Sequence, residues 1–196
     1  MPEPGPASSP RSDEEIAAFT IGALAPLDAV IDLRPYDPEW PSTYMREAAA
    51  VRAVLGERVV LLEHAGSTSV PGLAAKPIID MVLEVPDSSA EPAYVPDMEA
   101  AGYVLRIREP DWFEHRLFKG PRVSVNLHVF SAGCPETRRM LAFRDHLRAV
   151  DADRELYVRT KQVLAARTWR HVQHYADAKS AVVADIMTRA LPDGPP

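Results

Sequence analysis

Gly66, Ser67 and Thr68 close one apolar run, and a single acid, Asp80, interrupts the next at Ile78, Ile79, Met81 and Val82. A Gly-Ser turn presents backbone N–H groups to phosphate, and a carboxylate is a hard oxygen ligand through which Mg2+ bridges to that phosphate. Lys76, just before Pro77, is placed to neutralise phosphate charge. That combination is what nucleotidyl transfer needs. Plainer roles compete with it: a strand-to-helix turn for Gly66 to Thr68, a solvated loop lysine for Lys76, and a structural hydrogen-bond network for Asp80. Asp80 carries the stronger signal, because an acid among apolar neighbours must find a cation, an arginine or backbone donors.

The elements that position these residues are read from periodicity. In Ile78 to Val85, Ile79, Met81, Leu83 and Val85 point one way, which leaves Asp80, Val82 and Glu84 with Ile78 on the other face of a strand. Val123 to Phe130 repeats the pattern, with Ser124, Asn126, His128 and Phe130 opposite Val123, Val125, Leu127 and Val129. If the two strands are neighbours, Asp80, Glu84, Asn126 and His128 share one surface. His128 is then a candidate ligand or general base, or a satisfied core histidine. His64, beside the turn, reads as a residue that orients the loop.

Further strands are expected at Val30 to Leu33, Val59 to Leu62, Tyr103 to Arg108 and Arg116 to Phe118, the second of these covered on both faces. Helices are expected at Asp13 to Ile21, from Pro38 or Pro41 to Leu55, at Pro92 to Ala101, from Pro135 to about Val150, and at about Asp153 to Thr168. A last one should run from about Trp169 to Leu191, with Lys179 inside its apolar stripe. Arg116, Lys119, Arg144, Lys161 and Lys179 could line a cleft and hold a triphosphate or an acidic acceptor, although any one of them has a surface charge as its plainer reading.

Composition sets outer limits. The formal net charge is -6, which argues against a nucleic-acid partner held by blanket electrostatic attraction. Cys134 is the single cysteine, so no intrachain disulfide forms, as suits a reducing cytoplasm. No apolar run approaches the roughly 20 residues of a membrane span. His171 and His174, three apart, lack a third zinc ligand at a telling spacing. The proline-rich ends, 1–13 and 192–196, read as disordered, leaving one domain over 14–191 with its sheet part at about 28–133 and its helical part at about 136–191.

The run EHAGSTSVPGLAAKPIIDM, the later NLHVF, the helix LAFRDHLR and the pairs Tyr157/Lys161 and Tyr175/Lys179 resemble the GrpB family, assigned to the nucleotidyltransferase superfamily related to DNA polymerase beta, over about residues 30 to 190. The resemblance implies an α/β (α+β) nucleotidyltransferase-like fold: a small mixed sheet flanked by helices, with a C-terminal helical layer closing a cleft. It also implies a Gly-Ser turn followed by Asp-x-Asp or Asp-x-Glu and a third carboxylate on a later strand. Here Val82 stands at the second acid, Glu84 is a displaced substitute, and His128 occupies the third position, with Asn126 where relatives often have histidine. These departures bear on metal count and turnover.

The resulting expectation is a transferase that moves a nucleotidyl group from a Mg2+-nucleoside triphosphate to a small-molecule or protein acceptor. Gly66, Ser67 and Thr68 would hold phosphate, Asp80 with Glu84 would hold Mg2+, and Lys76 or Lys179 would offset charge. His128 or Glu84 would assist the metal or deprotonate the acceptor. A nucleotide- or CoA-ligand-binding module without turnover is the main alternative, and a phosphotransferase or hydrolase using the same cleft is the next.

Overall fold

Five strands form one mixed sheet: β1 (Leu61–Ala65), β2 (Ile79–Val85), β3 (Val104–Glu109), β4 (His115–Lys119) and β5 (Val125–Ser131), in the order β1-β2-β5-β4-β3. The computed structural model describes residues 11–191, so the expected tail over 192–196 and most of that over 1–13 lie outside the described residues. Only β2 and β5 run parallel, with Asp80 opposite Asn126 and Val82 opposite His128. The other pairs are antiparallel.

The alternation read from the sequence divides the sheet cleanly. Ile79, Met81, Leu83 and Val85 join Val125, Leu127, Val129 and Phe118 in the main core, covered by Trp40, Ala48, Val51 and Leu55 of α2 (Trp40–Leu55) and by Met98 of α3 (Val95–Ala100). Pro41 sits in the first turn of α2, and Gly56, at φ 56, ends it where a Cβ would be strained. On the other face Ala65, Val82 and Phe130 pack against Cys134, Met140 and Leu141. The last two belong to α4 (Pro135–Ala149), which covers one end of that face and leaves the Asp80 end open. α5 (Asp151–Ala165), α6 (Val172–Asp177) and α7 (Ser180–Ala190) complete the helical layer.

Several expected elements differ. Val30 to Leu33 is not a strand: Ala29 and Arg34 make single bridges to Trp169 and Ala75, because the segment crosses between layers without a strand partner. The Val59 to Leu62 strand starts later, at Leu61, and lies at the sheet edge, leaving Val60 53% exposed. The single C-terminal helix is two, separated at Ala178 and Lys179. Lys179 N–H bonds to the Ala176 carbonyl and its own carbonyl restarts the helix by accepting from Val183. Tyr175 thereby packs with Ile31, Leu164 and Ala165 while Ile186 packs with Leu147 and Tyr157, two clusters that one straight helix does not serve. Arg11 to Asp13, expected in a tail, lead into α1 (Asp13–Phe19), which a reciprocal Ser12–Glu15 capping box opens.

Candidate functional site

Asp80 stands at the head of β2 against the turn that follows β1. Gly66 has φ 64 and ψ -170, and a Cβ there would lie 2.3 Å from Asp80 Oδ2. Glycine is therefore required twice, by backbone conformation and by the approach of the carboxylate. The other carboxylate oxygen, Oδ1, accepts from Asn126 Nδ2 at 2.7 Å, and Asn126 Oδ1 in turn accepts from Lys119 Nζ. Burial pushes the Asp80 carboxyl above the usual carboxylate range, opposed by the Asn126 hydrogen bond and then by Lys76, Lys179 and Lys119.

The turn is braced from below. Thr68 Oγ1 donates to the Ile78 carbonyl at 3.2 Å and meets His64 Nε2 at 3.0 Å, so its hydroxyl is spent on the loop and is not free for a ligand. Burial and the charges of Arg148 and Arg144 push His64 down to about 4; neutral at physiological pH, it orients the turn. Ser67 faces the cleft instead, its Oγ accepting from Lys161 Nζ at 3.1 Å.

Around Asp80 lies a cleft of about 600 Å³ lined by Gly66, Ser67, Lys76, Lys119, His128, Lys161 and Lys179, with Tyr157 and Tyr175 among its walls. Lys161 is buried to 2% exposure, held by Ser67 and the Ala74 carbonyl, and burial followed by the charge of Lys179 pushes it down to about 7. The same two causes bring Lys76 to about 8, and burial also lowers Lys179. Lys76 and Lys179 both approach the Tyr175 ring, 5.6 and 4.8 Å from its centroid, while Lys161 lies 4.8 Å from that of Tyr157. These four are all the lysines of the chain. A chain of net charge -6 therefore builds one cationic recess.

Besides Thr68, three expected residues do not join it as free groups. Glu84 is on the Asp80 face, but four residues further along the strand is about 13 Å, and there its Oε2 accepts the Gly133 N–H at 3.0 Å. Arg116 alternates to the opposite face, where it donates to Glu91 at 2.5 Å and to Glu114 at 3.2 Å. Arg144 reaches the cleft wall, yet it is bonded to Glu63, Asp145 and the His64 carbonyl and ties α4 to β1. Beyond Arg144 a second depression, about 590 Å³, is lined by Tyr36, Tyr44, Arg148 and Arg154, whose arginines also hold protein oxygens.

Asp80 as donor set fits one Mg2+ ion shared with ligand phosphate oxygens, since Mg2+ is commonly held by one or two carboxylates plus phosphate. It does not fit a pair of ions, with Val82 buried in the second acid position. Among the described residues no group of three or more His, Cys, Asp or Glu converges as a metal cage. His128 does face the cleft, and its Nδ1 meets His115 Nε2 at 3.0 Å. His115 and its partner Glu109 escaped the sequence reading, because the β3–β4 pairing that joins them has no local signature. The scarcity of lysine was a signal that could have ranked the four cleft cations above the arginines.

A family model described as GrpB protein matches residues 30–189. A UPF0157 protein of Halalkalibacterium halodurans is 60% identical over 183 residues, covering 93% of this chain and 94% of its own. A second, from Streptomyces coelicolor, is 46% identical over 160 residues, covering 82% and 84%. The crystal structure of the conserved protein GrpB from Enterococcus faecalis superposes with a TM-score of 0.71 at 30% identity, over 82% of this chain and 98% of that one. No helix among the described residues is long and apolar enough to cross a membrane.

Proposed function

The chain belongs to the GrpB family, and from that premise we propose that its cleft binds the triphosphate of a Mg2+-nucleoside triphosphate and transfers the nucleotidyl group to a small-molecule or protein acceptor. The observation that carries this reading is the convergence of every lysine in the chain on the turn at Gly66 and the carboxylate of Asp80. Lysines crowded together out of water lose part of their charge, and a polyanion restores it. A chain of phosphates is the ligand whose charge density such a recess matches.

Each residue then has a task. Ser67 and Lys161 hold one end of the phosphate chain, and Lys76 and Lys179, which both approach the Tyr175 ring, hold another. Asp80, oriented by Asn126, would hold the Mg2+, which when bound neutralises phosphate charge. His128 is the group placed to take a proton from the acceptor. Thr68 and Glu84 serve structure in this scheme, and Arg144 fixes the wall.

Calorimetric titration with each nucleoside triphosphate, with and without Mg2+, tests the reading. Saturable binding that Mg2+ strengthens in the native chain, and that Asp80→Ala loses, is expected together with pyrophosphate release once an acceptor is found. Absence of binding to all triphosphates would overturn it. The buried Val82 beside Asp80 favours a second reading, a binding module without turnover; its signature is the same binding with no pyrophosphate released. Phosphate in place of pyrophosphate would mark a hydrolase.

A further inference from the structure

Three side chains on three neighbouring strands form a line that ends in the cleft. Glu109 and His115 are register partners across β3 and β4, and Glu109 Oε2 lies 2.7 Å from His115 Nδ1. His115 Nε2 lies 3.0 Å from Nδ1 of His128 on β5. The His115 side chain is 3% exposed, stacked on Phe130 at 4.9 Å and edged by Trp112 at 5.1 Å, so water is kept from the middle of the line. Among the described residues Nε2 of His128 has no hydrogen-bond partner, and His128 lines the cleft.

With both imidazoles neutral, the positions of the protons follow from what each atom is able to do. An ionised carboxylate only accepts, so Nδ1 of His115 carries a hydrogen. A neutral imidazole with hydrogen on Nδ1 has a lone pair on Nε2, so the bond to His128 is donated by His128 Nδ1–H. The lone pair of His128 is thereby left on Nε2, on the cleft side. This is the less common tautomer of a histidine side chain in water, imposed here by the carboxylate two residues away along the line.

Resting on the transfer reading above, we propose that Glu109, His115 and His128 are a proton relay for the acceptor. The acceptor oxygen or nitrogen forms a bond to the α-phosphorus, and the bridging P–O bond to the β-phosphate breaks, pyrophosphate leaving with that electron pair. The acceptor's proton passes to His128 Nε2, and the Nδ1–H of His128 passes to His115 Nε2. One N–H bond is gained by His128 and one lost, so the positive charge rests on His115 beside Glu109. Burial, His115 and Lys119 hold the charged form of His128 down, which favours passing the charge onward. The charged and titratable groups around the line are Lys119 beside His128 and Arg11 beside Glu109, at 3.9 Å from Oε1. His115 and Glu109 are positioning residues; His128 is the catalytic one.

Nitrogen-15 NMR of the histidine side chains reads the arrangement without any substrate. At neutral pH His128 in the native chain is expected with hydrogen on Nδ1 and a bare Nε2. In Glu109→Gln the amide oxygen turns to Arg11 and the amide N–H faces His115, so both imidazoles should reverse their tautomers. With transfer measured in parallel, kcat should fall on the order of 10²-fold or more, the scale of a general base, while KM for the nucleotide stays within about twofold. Hydrogen on Nε2 of His128 in the native chain, or unchanged tautomers in Glu109→Gln, would overturn the proposal. The expected tautomers in a protein that transfers to no acceptor would overturn the relay's task together with the function it serves. A relay failure with intact transfer would show as native kcat in Glu109→Gln, so the two failures are distinguishable.

Discussion

Lysine and arginine take different tasks in this molecule. Most of the eighteen arginines hold protein oxygens, as Arg108 and Arg116 do at Glu91, Arg122 at Glu47, Arg189 at Asp153 and, on the cleft wall itself, Arg139 at Glu136. The four lysines gather in one cleft around one facing carboxylate, Asp80. The chemistry of the two cations explains the division. A guanidinium keeps its charge and forks onto a carboxylate, which suits permanent pairing. An ammonium surrenders its proton when buried, so a cleft of lysines tolerates being empty, as one of arginines would not. The lowered Lys161 and Lys76 are that tolerance in operation.

Removing the cleft cations should have the largest effect. Each charged hydrogen bond to phosphate is worth about 1.5–3 kcal/mol, so Lys161→Met combined with Lys179→Met is expected to weaken triphosphate binding at least about 100-fold by calorimetry. Exchanging the two cations sharpens the point: Lys161→Arg should overpack the buried site and lower stability by about 1–3 kcal/mol in denaturant unfolding. Equal stability and affinity in that variant would break the comparison.

The pH dependence has a definite sign. Burial pushes Lys161 down to about 7 and Lys76 down to about 8 in the folded chain from 10.5 when unfolded, so between these values the unfolded chain binds more protons. Stability from these groups therefore rises with pH across that window and is lowest below it. Thermal unfolding from pH 6.5 to 9.5 should show the rise, Lys161→Met should flatten it, and tripolyphosphate should reverse it by binding the protonated form. A smaller effect separates the acids of β2: Glu84→Gln should leave nucleotide affinity unchanged and cost about 1 kcal/mol by weakening the bond from Gly133. Smallest of all, Arg159→Ala breaks an exposed pair with Glu155 and should cost under about 0.5 kcal/mol.

Much of the sheet was legible because alternation is local. The two faces of β2 and β5 follow from residue type at every second position, and the pairing that brings Asn126 to Asp80 agrees with it. The Gly66 to Asp80 segment was legible for a similar reason: an acid in an apolar strand and a glycine before it announce an unusual backbone. Glu84 misled because sharing a face says nothing of separation along the strand, and Arg116 because a basic residue beside a candidate motif carries no label for the face it takes. The C-terminal stripe suggested one helix, since periodicity survives a one-turn interruption at Lys179 that only packing requires.

By itself the sequence determined most of the elements, the two-sided strands, the Gly66 turn and the family, all properties of neighbours in the chain. Tertiary structure alone decided that four lysines spread from Lys76 to Lys179 meet at one carboxylate, and that Glu109 orients His128 through His115. Those relations join residues far apart in the chain, or strands whose partners no local pattern names. The geometry that shifts a lysine or selects a tautomer exists only once the layers have closed.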